Sequence, residues 1–228
     1  MLVLRRITIA ICDNSSYRPC PKHFNLAAYV LLLADELKDK IALSILSPEK
    51  QEDWTYKEVK ATVLGTALGL LELGLKPGEK LVLCLGNTVD FPITYLAAIA
   101  VGIYPIPVSS QVTMDELQKL CTDLSPSAVC ADLDIKFPKT NTMIQILLSD
   151  LKKMRNLPPA IFKLGPPDRL AYLVLTSGTS ASPKVVMHAH RAIWARRMML
   201  HDWYDLRQDD RVFHAGAFNW TYTLGTGL

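Results

Sequence analysis

Apolar runs alternate along the chain with longer mixed stretches, and this alternation predicts strands followed by helices. The apolar runs have the length and aliphatic content of buried strands. They lie at residues 81–85, 103–108, 128–131 and 170–175. Three mixed stretches carry helix start or stop signals: one precedes the first apolar run, and the other two separate the first three runs. They lie at residues 55–73, 88–101 and 113–122. A β-α-β-α-β order favours a parallel sheet covered by helices, so the predicted fold class is α/β.

Capping signals mark the ends of these predicted helices. Thr55 with Glu58, and Thr113 with Glu116, have the Thr-x-x-Glu spacing of a capping box. Gly74 stands where the first of the helices should end, since glycine tolerates the left-handed backbone of a helix stop. Prolines within the run at 103–108 predict that this strand is irregular or lies at a sheet edge.

Five further elements are predicted from shorter patterns. They are a helix over residues 26–38 capped by Asn25, a strand over 41–46, a helix over 141–155, a helix over 189–204 and a strand entered at 209–214. Residues 1–24 have no clear periodicity and are predicted to form an arm. We expect residues 25–228 to form one partial domain.

Composition excludes several classes of protein. Half of the 228 residues are hydrophobic and 21% are charged, which is typical of a globular chain. The net charge of +3 is too small to indicate a nucleic-acid partner. Five cysteines form no Cys-x-x-Cys pair, and this odd, irregular set favours free thiols in a reducing compartment.

No segment has the pattern of a signal peptide or a membrane span. Arg5 and Arg6 interrupt the first apolar run, and the longest later run, residues 26–34, is too short to cross a bilayer. We therefore predict a soluble, cytoplasmic protein. A mitochondrial presequence remains the alternative, because Asp13 is the one acidic residue among residues 1–22 and the other charged residues there are basic.

The most distinctive chemistry follows the predicted strand at 170–175. The next seven residues are all small, and five of them carry a hydroxyl group. They are Thr176, Ser177, Gly178, Thr179, Ser180, Ala181 and Ser182. Pro183 and Lys184 complete the run, and β-branched residues follow. A polyphosphate is bound by backbone N–H groups, hydroxyl donors and a cation, so we predict a phosphate-binding loop between two strands.

Other interpretations of this run are weaker or excluded. It is not a Walker A loop, since Pro183 precedes the lysine and the residues that follow favour a strand rather than a helix. A Ser/Thr-rich surface turn with an incidental lysine is the alternative. His188, His190 and His201 are not spaced as a metal set, and packing or hydrogen-bonding roles are expected for them.

Residues 176–190 resemble the phosphate-loop signature of the adenylate-forming superfamily, which includes acyl- and aryl-CoA ligases, peptide-synthetase adenylation domains and luciferases. The family typically reads T-S-G-T-T-G-x-P-K-G-V, and this chain has Ala181 and Val185 at two of the usual glycines. Two upstream stretches also look like family segments, in the same order. Residues 54–59 are similar to T-Y-x-E-L, and residues 96–107 to A-x-x-x-A-G-x-x-x-x-P.

The resemblance implies a fold, a reaction and roles for particular residues. The fold implied is the N-terminal part of the large domain of these enzymes. The reaction implied activates a carboxylic acid with ATP, with Mg²⁺ held through the ATP phosphates, and transfers the acyl group to CoA. Residues 176–184 would bind the phosphates, with Lys184 in the catalytic role. Phe218, Asn219 and Trp220 would shape the carboxylate pocket, and no protein metal ligand is predicted.

The later family segments are not found in this sequence, which includes no Y-G-x-T-E stretch and no C-terminal domain. We therefore interpret the chain as the N-terminal portion of an AMP-forming acid–CoA ligase that is not expected to be active alone. One alternative is an adenylation domain that loads a carrier protein. Another is a non-catalytic short product that binds a nucleotide or a partner. Phe218 and Trp220 fit a medium acyl or an aryl acid.

Overall fold

The computed structural model describes residues 18–138, 143–176 and 184–226. The strands in these ranges are β1 (Ile41–Leu46), β2 (Gln51–Thr55), β3 (Lys80–Cys84), β4 (Tyr104–Pro107), β5 (Ala128–Ala131), β6 (Ile144–Ile146), β7 (Leu170–Thr176) and β8 (Lys184–Ala189). The helices are α1 (Leu26–Val30), α2 (Tyr56–Glu72), α3 (Asp90–Val101), α4 (Met114–Leu124), α5 (Leu148–Met154), α6 (Ala192–Arg196), α7 (Met198–Asp202) and α8 (Thr221–Thr226).

A four-stranded parallel sheet lies at the centre of the fold, with strand order β4-β3-β5-β6. The α/β prediction is therefore confirmed. β4 lies at one edge of this sheet, as Pro105 and Pro107 predicted, because a proline cannot donate a hydrogen bond to a second neighbour. Two antiparallel hairpins, β1–β2 and β7–β8, complete the strands, and β7 lies alongside β4.

Alternate residues of β3 face two separate apolar clusters. Leu81 and Leu83 pack in the larger cluster, which includes α2, α3 and α5. Val82 and Cys84 pack on the other face, against Leu117 of α4. This is the period of two that a strand buried on both faces requires. The helices therefore form layers on both sides of the sheet.

The predicted helix ends in this region are confirmed. Both capping boxes form, and the Glu58 carboxylate accepts the Thr55 N–H at 2.8 Å. Gly74, after α2, has φ of 95°, and Gly102, after α3, has φ of 79°. These left-handed positions are the helix stops that glycine permits without strain.

The helix predicted over residues 26–38 is shorter than expected. Asn25 caps it, but α1 ends at Val30 and a series of turns follows to residue 36. Leu31 and Ala34 are both buried, and the Ala34 N–H donates to Leu31 O. The three-residue spacing of these buried positions fits tight turns better than a continuous α-helix.

The single helix predicted over residues 141–155 is wrong. Residues 144–146 form β6, the outer strand of the parallel sheet, and α5 begins only at Leu148. Ile146 is fully buried beside β5, so burial in the sheet overrides the helical spacing of the apolar residues. The Asp150 carboxylate accepts the Leu147 N–H and marks the true helix start.

Two predictions near the end of the chain are also corrected. The helix expected over residues 189–204 begins at Ala192, because Ala189 is the last residue of β8 and pairs with Leu170. It is then divided at Arg197 into α6 and α7. The strand expected at 209–214 does not form, and Asp210 instead closes a turn by accepting the Arg207 N–H at 2.8 Å.

The cysteines that the structure describes are free, as the sequence predicted; they are Cys20, Cys84, Cys121 and Cys130. Burial raises the pKa of Cys84 to about 12 and that of Cys121 to about 11, so both thiols stay protonated at neutral pH. Across the described ranges, no helix combines the length and apolar content that crossing a membrane requires.

Candidate active site

The β7–β8 hairpin carries the predicted phosphate-binding residues at its loop end, where residues 177–183 connect the two strands. The register pairs Thr176 with Lys184, and the Thr176 hydroxyl donates to Lys184 O at 3.4 Å. Both residues are exposed. The predicted loop residues between them, Ser177, Gly178, Thr179, Ser180, Ala181, Ser182 and Pro183, lie outside the described residues. The two strands predicted to flank the loop are confirmed.

Burial of β7 fixes the position of this hairpin. Residues 171–174 are buried against the core, whereas the residues of β8 are exposed or half-buried. The rings of Tyr172 and His188, which are register partners, stack with centroids 4.6 Å apart. Burial and the nearby Arg196 charge lower the pKa of His188, so its ring is neutral at pH 7.

His190, directly after β8, anchors the opposite end of the hairpin. It is fully buried, and its ring Nδ1 accepts the Leu26 N–H at 3.0 Å. The backbone N–H of His190 donates to Arg169 O at 3.1 Å. Burial, and to a smaller extent the charge of Arg169, lowers the pKa of His190 to about 3. The Arg169 guanidinium donates to the carbonyls of Phe24 and Lys163, each at 2.6 Å. The hairpin is thus tied to the segment that precedes α1.

An aromatic column connects one predicted substrate residue to the hairpin. The ring of Phe218 stacks on Phe91 at a centroid distance of 5.3 Å, and Phe91 lies 6.1 Å from Tyr95. Tyr95 then meets Tyr172 edge-on at 5.6 Å, and Tyr172 stacks on His188. Burial raises the pKa of Tyr95, so its hydroxyl group stays protonated. The structure therefore brings Phe218 and the hairpin into one packed unit.

The other two predicted substrate residues differ in their exposure. Asn219 is half-buried, and Trp220 is 66% exposed. None of the three predicted residues lines the large cleft nearby, which has a volume of about 590 Å³. Most of its wall is apolar, and its lining includes Leu33, Tyr56, Leu96, Arg196, Leu200 and His214.

His214 and Arg196 are cleft residues that the sequence did not single out. Arg196 is half-buried and lines the cleft. His214 follows the apolar pair Val212 and Phe213 and precedes Phe218 by four residues. An isolated polar residue after an apolar pair was the available signal, but it was interpreted as part of a strand. Within the described ranges, no group of three or more metal-ligating side chains is found.

Residues 33–228 match the sequence profile of the AMP-binding enzyme family, so the chain belongs to that family. The predicted resemblance is therefore confirmed. The chain is 28% identical over 196 residues to a 4-hydroxybenzoate–CoA/benzoate–CoA ligase of Rhodopseudomonas palustris, covering 79% of this chain and 36% of the relative. It is 24% identical over 249 residues to a benzoate–CoA ligase of Thauera aromatica, covering 97% of this chain and 45% of the relative.

Solved structures share the fold. A benzoate CoA ligase from Burkholderia xenovorans superposes with a TM-score of 0.78 at 22% identity, over 90% of this chain and 42% of that protein. Sequence similarity also extends to enterobactin synthase component F of Escherichia coli, which is 28% identical over 162 residues, 70% of this chain and 12% of the relative. The chain thus spans less than half the length of the relatives it matches.

Proposed function

We propose that this chain carries the ATP-phosphate-binding part of an AMP-forming acid–CoA ligase. The observation that carries the proposal is the hairpin whose loop end presents Thr176 and Lys184 on either side of a hydroxyl-rich sequence. Membership of the AMP-binding enzyme family and the names of the benzoate–CoA ligase relatives support the assignment.

The residues at the loop end of the hairpin fit a polyphosphate. Lys184 is exposed and takes part in none of the ion pairs among the described residues, so its ammonium group is available to an anion. The Thr176 hydroxyl lies beside it as a further hydrogen-bonding group. Bound Mg²⁺ would neutralise phosphate charge during the reaction, and CoA would supply the acceptor thiol.

The proposed reaction has two steps. A carboxylate oxygen of the acid attacks the α-phosphorus of ATP, and the bond to pyrophosphate breaks. The CoA thiol then displaces AMP from the acyl group and loses its proton, which forms the thioester. Negative charge builds on the leaving phosphates in the first step, and the Lys184 ammonium and the loop hydroxyls would stabilise it there.

We propose an aromatic acid as the first substrate class to examine. The cleft of about 590 Å³ lies within the size range of small-molecule sites, and its apolar wall suits an aryl group. Phe218, Asn219 and Trp220 do not line this cleft but remain the pocket residues proposed from the sequence, and they follow His214, which does line it. The two ligase relatives are named for benzoate substrates.

An adenylation domain that loads a carrier protein is the second candidate function. The match to enterobactin synthase component F favours it. The two candidates share acid activation and differ in the acceptor thiol. A cytoplasmic location is proposed for either, and the free cysteines described in the structure support a reducing compartment.

The test is acid-dependent pyrophosphate release from MgATP by the protein from its native source, whose intact mass is measured first. We expect release to require a carboxylic acid, with benzoate among the active acids, and the acyl group to pass to CoA. Transfer to a carrier protein but not to CoA would favour the second candidate. A native mass of 25.4 kDa without acid-dependent release would contradict the ligase proposal and favour a non-catalytic binding role.

A further inference from the structure

The segment formed by residues 214–220 is held by a side chain far away in sequence. Asn87 Nδ2 donates to Gly216 O at 3.1 Å, and Asn87 Oδ1 accepts the Phe218 N–H at 3.1 Å. One amide therefore bonds to a carbonyl and an N–H group two residues apart, much as a neighbouring strand would. Asparagine has the donor and the acceptor that this arrangement needs, whereas aspartate lacks the donor.

Gly216, whose carbonyl Asn87 holds, also bonds to the ring of His214. The Gly216 N–H donates to His214 Nδ1 at 3.0 Å, and the Thr223 hydroxyl lies 3.5 Å from the same nitrogen. A Cβ atom at Gly216 would lie 2.6 Å from Thr223 Oγ1 and 2.7 Å from His214 Cε1, so a larger residue does not fit without movement. Because Nδ1 accepts a backbone proton, the neutral ring carries its own proton on Nε2.

The anchor itself lies on a rigid part of the fold. Asn87 follows the carboxyl end of β3, and the preceding Gly86 N–H donates to the Asp132 carboxylate, after β5, at 2.7 Å. The chain leaves β3 to β4 on one side and then crosses to β5 on the other side. Ligand crevices in parallel α/β sheets open at such a reversal of strand order, beyond the carboxyl ends of the strands.

We propose that Asn87 is a positioning residue for the acid-binding region: it fixes the backbone of residues 216–218 and thereby sets the tautomer of His214 on the cleft wall. The stacking of Phe218 on Phe91, the second residue of α3, provides the second attachment of the same segment. The role in acid binding rests on the proposed function. The role in fixing the segment does not.

Amide exchange and ring nitrogen shifts, measured by NMR on the ¹⁵N-labelled chain, test the positioning role. We expect the Phe218 amide to exchange about tenfold faster in Asn87→Ala, which corresponds to the loss of one net hydrogen bond. Asn87→Asp keeps the acceptor for Phe218 N–H, so Phe218 should stay protected. It loses the donor to Gly216 O, so the Gly216 N–H bond to His214 Nδ1 should loosen and the Gly216 amide should exchange faster. The His214 ring should be the Nε2–H tautomer in the wild type and a mixture of tautomers in Asn87→Ala.

The matched control is Asn156→Ala, at an exposed asparagine in the turn after α5. Amides of α2 provide an internal reference that shows whether each variant is folded. Unchanged exchange at Phe218 and Gly216 in Asn87→Ala, or equal changes in Asn156→Ala, would overturn the proposal. So would an unchanged His214 tautomer in a folded Asn87→Ala protein.

A second measurement tests the role of Asn87 in acid binding. In pyrophosphate release with benzoate as the probe, Asn87→Ala should raise the half-saturating benzoate concentration about tenfold and that of MgATP less than about twofold. Equal increases for both substrates would overturn the acid-binding role. If the wild-type protein shows no benzoate-dependent release, the proposed function fails, while the amide and tautomer results still decide whether Asn87 positions the segment.

Discussion

His190 lies fully buried where the hairpin meets the start of α1, and its Nδ1 atom accepts the Leu26 N–H. A charged imidazolium could not accept that proton, and burial next to Arg169 further disfavours the charge. The folded protein therefore holds His190 neutral, while the unfolded chain titrates with a pKa of about 6.5. Its stabilising contribution is complete above pH 6.5 and is lost as the pH falls towards about 3.

We predict that His190→Gln flattens the pH dependence of stability. Between pH 7 and pH 5 the unfolded chain takes up a proton at this site and the folded chain does not. The free energy of unfolding of the wild type should therefore fall by about 2 kcal/mol more than that of the variant. Urea unfolding at both pH values measures the difference. Replacing the exposed His23 by glutamine should leave the pH dependence of stability unchanged from that of the wild type. Identical slopes for wild type and His190→Gln would contradict the neutral assignment.

Asn25 shows how one side chain joins three elements. Its Oδ1 atom accepts two N–H groups at the start of α1. Its Nδ2 atom lies 3.0–3.2 Å from the carbonyls of Ile99 and Ala100 in α3 and of Lys163 in the connector. The capping role is local and was predictable from sequence. The bonds to residues more than 70 positions away were not, because no short pattern encodes them.

Asn25→Asp separates these two roles. Aspartate keeps the cap but loses the donors and places its charge against three carbonyl oxygens, so we expect a loss of about 3 kcal/mol in the free energy of unfolding. Thr55→Ala, which removes an exposed capping box, should cost only about 1 kcal/mol. Chemical denaturation of both variants provides the comparison. A smaller loss for Asn25→Asp than for Thr55→Ala would show that the long-range bonds contribute little.

Glycine in α2 is required by close packing rather than by backbone shape. A Cβ atom at Gly65 would lie 2.9 Å from the backbone oxygens of Met154, Arg155 and Leu157, at the end of α5. Backbone atoms cannot move aside as a flexible side chain can. The helix therefore approaches the following segment more closely than an alanine would allow.

We predict that Gly65→Ala destabilises the protein by about 2 kcal/mol, even though alanine is the better helix former by about 1 kcal/mol. The control is Ala61→Gly on the exposed face of the same helix, which should cost about 1 kcal/mol through helix propensity alone. Thermal unfolding of both variants tests the pair. A Gly65→Ala protein more stable than the wild type would contradict the close contact.

Elements with local signals were the ones that the sequence predicted correctly. The capping boxes of α2 and α4 and the glycine stops after α2 and α3 depend on residues a few positions apart. β6 was mistaken for helix because its identity depends on pairing with β5. The division between α6 and α7 was missed as well, and Arg197 at that point stacks its guanidinium 3.8 Å over the Trp194 ring.

At the scale of the molecule, the order of strands and helices was enough to predict the parallel sheet, since short connections leave few topologies. The two strands that carry Thr176 and Lys184 were also predicted, because both are β-branched or apolar runs, but their antiparallel pairing was not. The cleft with His214 and Arg196 was not predicted. Its walls come from segments that are distant in sequence, and only the folded chain brings them together.

The most direct test of the account is the MgATP dependence of acid-dependent pyrophosphate release in Lys184→Ala. Loss of a charged contact to phosphate should raise the half-saturating MgATP concentration about tenfold to one-hundredfold. Lys50→Ala, at an exposed lysine before β2, is the matched control and should behave as the wild type. A Lys184→Ala protein with the MgATP dependence of the wild type would contradict the assignment of this hairpin as the phosphate-binding site.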